Sequence, residues 1–213
     1  VKRLVVYTAV FGGRDPIRLP PADADFDFLA FTDSPIDDPR VVQMPMLVPG
    51  DPRRSSRRMK ILPDVFLTRH RYSLWIDGSV LLKTGNLDHL VDRYLSGEVP
   101  LATFRHPLRT CAYQEASVCV TSRLGDPAVV QRQADGYRLA GMPEGTGLAE
   151  TGVILRDHNG VIGFSRVWWE EVQSKSCRDQ ISFPFAAWIT GLRWAGFEDQ
   201  IRQSDLFQLM PHN

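Results

Sequence analysis

Apolar and polar positions alternate from the start of the chain. Val5, Tyr7 and Ala9 fall on one side of an extended segment, with Leu4, Val6 and Thr8 on the other. A glycine pair, Gly12-Gly13, ends the run. The pattern predicts a strand over 4–10 rather than the apolar stretch of a leader peptide. Comparable runs predict strands over 26–32, 41–47, 72–76, 100–104 and 151–155. Between several of them the period becomes helical. Asn86 is placed to cap a helix carrying Leu87, Leu90, Val91, Tyr94 and Leu95 on one face. Asp126-Pro127 reads as an N-cap followed by proline at the first helical position, opening a helix that runs to Leu139. Phe164, Val167, Trp168 and Val172 form another helical face, and 108–123 is helical in part. The polar stretch 197–213 has no assignable element. Alternating strands and helices imply one α/β domain over 1–213, its central sheet mostly parallel and flanked by helices on both sides.

One position breaks the pattern. In "YSLWIDGSVLL" the strand ends on Asp77, Gly78 and Ser79 before apolar residues resume at Val80. Asp-Gly is a common turn pair. A carboxylate at the end of a central strand is also where open α/β sheets bind ligands.

Composition narrows the class. Lys plus Arg is 25 and Asp plus Glu is 25, so the net charge is zero, which disfavours a dedicated nucleic-acid binder. No apolar run approaches the roughly 20 residues that span a bilayer. Cys111, Cys119 and Cys177 have no CxxC spacing and imply neither zinc nor a disulfide framework, so a reducing cytoplasm is the expected compartment.

The order of motifs is more specific than any single one. "VVYTAVFGGRD" precedes "LAFTD", then come "SSRRMKILPDVF", "YSLWIDGSVLL", "FRHPLRTCAYQEA", "ETGVILRDHN" and "WWEEVQSKSCRDQISF". This series, from Leu4 to Ala187, resembles a glycosyltransferase-like family of bacteria and of plant proteins linked to pectic mucilage synthesis. It is more distantly similar to glycogenin-like enzymes of the GT-A, Rossmann-like fold. The resemblance implies a glycosyltransferase, hexosyl or pentosyl, that moves a sugar from a nucleotide-sugar donor, a UDP-sugar, to a hydroxyl acceptor such as a glycan in polysaccharide biosynthesis. A sugar-nucleotide-binding module without catalysis is one alternative. Another is a transferase that glycosylates modified nucleic acid, with the basic cluster Arg53, Arg54, Arg57, Arg58 and Lys60 on the phosphate backbone.

Diphosphate departure leaves negative charge that a divalent metal or basic side chains must stabilise. Asp77 is the natural ligand for Mn²⁺ or Mg²⁺. Ser79 stands where the second aspartate of Asp-x-Asp is usual, which puts metal dependence in question. His212 would complete coordination as a late histidine does in glycogenin-like enzymes. Arg58 and Lys60 match family positions and are expected on the phosphates or the base. Read as a helix start, this basic cluster opposes the helix dipole and asks for an anion. Asp33 would accept from a uracil edge or a ribose hydroxyl, and the turn that begins at Thr8 and Ala9 would offer backbone N–H groups to the base. His106, Arg109 and Glu115 follow a strand inside a family motif, with His106 a catalytic candidate and the other two substrate contacts. Glu150 and Thr151 fall where related enzymes contact donor or acceptor sugars. Asp179 is expected to face the transferred sugar, with Arg178 orienting it and Gln180 on a sugar hydroxyl. A helix N-terminus is the alternative for that last group.

Overall fold

The computed structural model describes residues 1–213 except Arg14, Ala22, His212 and Asn213. In chain order the elements are β1 (Leu4–Val10), β2 (Asp27–Thr32), β3 (Val41–Gln43), α1 (Pro52–Ile61), α2 (Pro63–Phe66), β4 (Tyr72–Ile76), β5 (Val80–Leu82), α3 (His89–Tyr94) and β6 (Leu101–Arg105). There follow α4 (Ala112–Thr121), α5 (Pro127–Leu139), β7 (Ala149–Asp157), α6 (His158–Ser174), α7 (Asp179–Thr190), β8 (Trp194–Gly196), a 3₁₀ turn (Ile201–Gln203) and β9 (Phe207–Leu209). Among the described residues no helix is long and apolar enough to cross a membrane.

One seven-stranded sheet has the order β3-β2-β1-β4-β7-β6-β8. All its strands run the same way except β7, which pairs antiparallel with β4 and β6. The mostly parallel α/β architecture expected from the sequence is therefore present. Strand β1 is central and every residue of it is buried, because both faces of the sheet are covered. Alternation along β4 divides the core. Trp75 packs with Tyr7, Met59, Trp168 and Phe183 under α1, α6 and α7. Leu74 and Ile76 pack with Val6, Phe104, Val153 and Phe207 on the other face. A smaller cluster of Cys119, Val130, Tyr137 and Ile181 joins α4, α5 and α7.

The antiparallel β7 matters most for the site. Its N-terminal residues come to rest at the C-terminal ends of β4 and β6, where Phe104 pairs with Glu150 and the Asp77 N–H donates to the Gly152 carbonyl at 2.8 Å. Just beyond, Val80 N–H donates to the Asp77 carbonyl at 2.8 Å, so Asp77-Gly78-Ser79-Val80 is a turn as well as a strand end. The apolar run after it is β5, which pairs with β9 in a second small sheet.

Several expectations need correction. The strand over 41–47 stops at Gln43: Met44 N–H makes one more bond to Thr32 at 2.9 Å, and Pro45 then has no amide to continue. Asn86 caps nothing. The Asp25 carboxylate instead accepts from the N–H groups of Leu87 at 2.9 Å and Asp88 at 3.1 Å, and α3 begins at His89. The basic segment does not open a helix with Arg58 and Lys60. Asp51 caps α1 by accepting from Arg54 N–H at 2.8 Å, which puts Arg58 and Lys60 in the last turn, where the dipole favours positive charge. The unassigned C-terminal stretch contains the 3₁₀ turn and β9.

Candidate active site

A cleft of about 760 Å³ opens at the C-terminal ends of β1, β4 and β6 and the N-terminal ends of β7, α1 and α7. This is the position that the ends of parallel strands favour for ligands. Its floor is an ion cluster. Lys60 is fully buried, with Nζ 2.7 Å from Asp179 Oδ2, 3.3 Å from Asp77 Oδ1 and 3.2 Å from Thr151 Oγ1. Arg57 Nε lies 2.9 Å from Asp179 Oδ1 as an ion pair rather than an aligned hydrogen bond, and Arg57 Nη1 is 3.7 Å from Asp77 Oδ1. Thr151 Oγ1 donates to Asp179 Oδ2 at 3.0 Å, and Trp75 Nε1 donates to Asp77 Oδ1 at 2.7 Å.

The charges set each other's protonation. Burial disfavours an ionised Asp179, yet Arg57 and Lys60 outweigh it and hold this carboxyl well below the usual carboxylate range. Burial lowers the Lys60 ammonium against the pull of both carboxylates. Arg57 is held more firmly protonated than usual, because the two aspartates overcome its own burial.

Asp77 is left with one open oxygen. Its described contacts all fall on Oδ1. Oδ2 faces Gly152, where a Cβ would come within 3.7 Å of it. A metal fits here only with help from a substrate. Among the described residues no three His, Cys, Asp or Glu side chains gather to hold an ion. Asp77 Oδ2 and Ser79, both on the cleft wall, are the small protein share that Mg²⁺ or Mn²⁺ takes when phosphates supply the rest. Met210 N–H donates to the Ser79 carbonyl at 2.7 Å, which ties the end of β9 to this turn. His212 lies outside the described residues.

A second ion cluster forms the opposite wall. Glu115, 1% exposed, accepts from Arg109 Nε at 2.7 Å and lies 3.5 Å from Arg178. His106 Nδ1 accepts the N–H groups of Leu108 at 3.1 Å and Arg109 at 3.0 Å, so the ring organises its own loop. Burial and then the Arg109 charge lower its pKa, which keeps it neutral at pH 7. Gln180 spends its amide on the Ala149 carbonyl at 3.0 Å. Glu150 lines the same cleft, and burial raises its pKa against the pull of Arg202 and Arg109.

The structure thus gathers Ala9, Asp77, Ser79, His106, Arg109, Glu115, Glu150, Thr151, Arg178, Asp179 and Gln180 around one cleft. Among the described residues, Thr8, Asp33, Arg58 and Lys60 are not brought to that wall. Thr8 is buried beneath the sheet surface with its hydroxyl unpaired. Asp33 turns its carboxylate to Gly12 N–H at 3.0 Å and fastens the turn after β1. Arg58 points away toward the Leu47 carbonyl and the Trp169 ring. Lys60 sits behind the wall, reaching the cleft only through the aspartates it holds.

Sequence reading singled out neither Arg53 nor Arg57 beyond the basic cluster, yet both line the cleft. Helical spacing carried the signal. Arg53, Arg57 and Lys60 fall at i, i+4 and i+7 on one face, whereas Arg58 is rotated off it. The basic cluster is also no continuous surface, since Lys60 is buried and Arg54 is spent on Asp51, Val172 and Lys175. The nucleic-acid reading loses the patch on which it rested.

A plant protein from Arabidopsis thaliana described as probable hexosyltransferase MUCI70 is 32% identical over 154 residues, which is 68% of this chain. The chain spans 26% of that relative's length. Among solved structures, the apo form of the bifunctional glycosyltransferase WbbM aligns with 92% of this chain and 38% of its own (TM-score 0.48, 10% identity). A glycosyltransferase involved in glycosylation of the major capsid of PBCV-1 aligns with 97% of this chain and 92% of its own (TM-score 0.47, 8% identity). The family model for the TOD1/MUCI70 glycosyltransferase-like domain matches residues 33–209, and the chain belongs to that family.

Proposed function

We propose that the chain transfers a hexosyl group from a nucleotide-sugar donor, a UDP-sugar, to a hydroxyl group of a glycan acceptor. One observation carries this reading: Arg53 and Arg57 project from α1 into a cleft where Asp77 keeps an open oxygen. The hexosyltransferase description of the plant relative supports the choice of sugar class.

In this reading the diphosphate lies along the N-terminal part of α1. Arg53 and the donors of Arg57 that Asp179 leaves free meet the phosphate oxygens. They stabilise the charge that grows on the leaving diphosphate, which is the main electrostatic demand of the reaction. Asp77 Oδ2 and Ser79 would hold Mn²⁺ or Mg²⁺, which supplies Lewis-acid neutralisation of the phosphates when bound. Asp179, Lys60 and Thr151 keep Arg57 and Asp77 in register. The wall formed by His106, Arg109 and Arg178 offers donors to the sugar and the acceptor.

Titration calorimetry with UDP, with and without MnCl₂, tests the reading. Micromolar to low-millimolar UDP binding is expected, competed by UDP-glucose or UDP-galactose. A chain that binds neither UDP nor any other nucleoside diphosphate would overturn it.

A further inference from the structure

The His106 ring meets donors at both nitrogens. Nδ1 accepts the N–H groups of Leu108 at 3.1 Å and Arg109 at 3.0 Å, and Nε2 lies 2.7 Å from Arg109 Nη2. Backbone amides only donate, so Nδ1 keeps its lone pair and the ring proton sits on Nε2. The other tautomer is worse, because a proton on Nδ1 would oppose two backbone donors that cannot turn away. A guanidinium has no lone pair to offer the Nε2 proton. Nε2–H and Nη2–H therefore face each other as two donors. Among the described residues neither has a carbonyl, hydroxyl or carboxylate partner.

The frame around the pair is fixed. His106 N–H donates to the Leu148 carbonyl at 2.8 Å and Gly147 N–H to the Thr110 carbonyl at 3.0 Å, so both ends of the 106–110 segment are pinned to the chain entering β7. Thr110 N–H donates to Gln114 Oε1 at 3.0 Å, which fastens the same segment to α4. Arg109 Nε is spent on the buried Glu115 at 2.7 Å, and that bond sets the plane from which Nη2 projects. His106 and Arg109 both line the cleft. Donors held this way are ready for an incoming oxygen before it arrives.

We infer that His106 Nε2–H and Arg109 Nη2–H together bind one hydroxyl oxygen of the sugar that the nucleotide carries. This rests on the glycosyltransferase reading above and gives its sugar contact named atoms. A hydroxyl oxygen has two lone pairs and takes both donors at once. The wall that presents them is continuous with the diphosphate end of the cleft. Asp179 holds Arg57, its neighbour Arg178 lies against Glu115, and Glu115 holds Arg109. The first group attached to a diphosphate at Arg57 is the donor sugar, which assigns the pair to that sugar rather than to the acceptor glycan. Neither side chain moves a proton in this role. Their effect is on orientation and choice, since a site built to bond a hydroxyl rejects a sugar that lacks it.

The test uses the full chain and calorimetry with UDP, UDP-glucose, UDP-galactose, UDP-xylose and UDP-glucuronate, the tightest of the four UDP-sugars being carried into the variants. His106→Asn keeps an acceptor for the Leu108 and Arg109 amides through its own side-chain oxygen and removes the Nε2–H donor. It should weaken the UDP-sugar about five- to tenfold and leave UDP within about twofold of the parent. Arg109→Lys keeps a charge beside Glu115 and should show the same split. The double variant should lose less than the product of the two single losses, because one oxygen is shared. Nitrogen-15 NMR of the histidine ring should place the proton on Nε2, with a shift on adding the UDP-sugar beyond any that UDP produces. Equal losses for UDP and the UDP-sugar, no loss for either, or a ring protonated on Nδ1 would each overturn the assignment. So would UDP binding without binding of any of the four UDP-sugars, which leaves nucleotide binding standing. Absence of UDP binding in the parent would instead overturn the functional reading, and the assignment with it.

Discussion

Lys60 Nζ and Asp179 Oδ2 meet at 2.7 Å, with the lysine fully buried and the aspartate 5% exposed. The pair joins the last turn of α1 to the first residue of α7, and Thr151 ties both to β7. Buried charges of this kind are costly unless paired, so the contact is a condition for packing α1, β7 and α7 together. It also fixes Arg57 and Asp77, which share the same cluster. Exposed pairs such as Arg3–Asp92 are screened by solvent and impose no comparable order.

Asp179→Asn should therefore act first on stability. It leaves Lys60 and Arg57 sharing Asp77 alone, and breaking one side of a buried pair costs about 3–5 kcal/mol. Urea unfolding at pH 7 measures this loss. The pH dependence has a definite sign. Asp179 has a depressed pKa in the folded state, so its contribution is complete above the unfolded carboxyl value of 3.8 and is lost as pH falls below it. The parent should destabilise more steeply than Asp179→Asn between pH 5 and pH 2. Parallel curves would show that Asp179 is not held by the cations.

Arg57 and Arg58 are neighbours in sequence with opposite expectations. Arg57→Ala should weaken UDP binding by about ten- to hundredfold, since a charge-assisted hydrogen bond contributes roughly 1.5–3 kcal/mol. Arg58→Ala should leave UDP affinity within about twofold, because Arg58 faces the Leu47 carbonyl and Trp169. Calorimetry on the two variants side by side decides the matter. Equal effects would place the nucleotide elsewhere.

Asp77→Asn should retain the fold, because the amide oxygen still accepts from Trp75 Nε1. It removes the charged oxygen that faces the cleft, and UDP release should fall about a hundredfold or more. Circular dichroism melting and a release assay separate the two effects. Ser79→Asp completes an Asp-x-Asp pattern and should tighten Mn²⁺ binding in the presence of UDP. Unchanged Mn²⁺ affinity would mean that the residue 79 side chain does not reach the ion.

His158 should make the fold acid-sensitive without touching the cleft. It is buried, its Nε2 lies 2.8 Å from Ser73 Oγ, and burial followed by the Arg156 charge pushes its pKa down to about 4. Asp64 and Asp157 pull the other way without restoring it. The depressed value means full stability above the unfolded histidine range and a loss as pH falls toward 4. The shift from 6.5 corresponds to roughly 3 kcal/mol, most of it lost by pH 4.5. Urea midpoints at pH 7.5 and 4.5 should fall further in the parent than in His158→Gln. The same fall in both would assign the acid sensitivity to other groups.

The sequence by itself determined the sheet strands that lie deep in the core. β1 and β4 have the bounds that alternation predicts, because a continuous apolar run covered on both faces has few other ways to bury itself. It also determined the Asp77 break, since a carboxylate after Trp75 and Ile76 has to leave the core. The Asp126 cap on α5 was legible for a local reason: its side chain accepts from Ala128 and Val129 N–H only a few residues away.

Tertiary structure decided the rest. Nothing local marks β7 as antiparallel, yet that reversal is what carries Glu150 and Thr151 to the same end of the sheet as Asp77. The α3 cap comes from Asp25, far away in sequence, so inspection of 86–95 could not find it. Arg57 and Arg58 have the same chemistry, and only the docking of α1 against β1 and α6 turns one into the cleft and the other away. Asp33 and Lys60 carry charges that look available in sequence. Long-range partners, Gly12 for one and Asp179 for the other, consume them. Burial and distant pairing are properties of the packed chain, so the availability of a charged group is settled by the fold rather than by its neighbours in sequence.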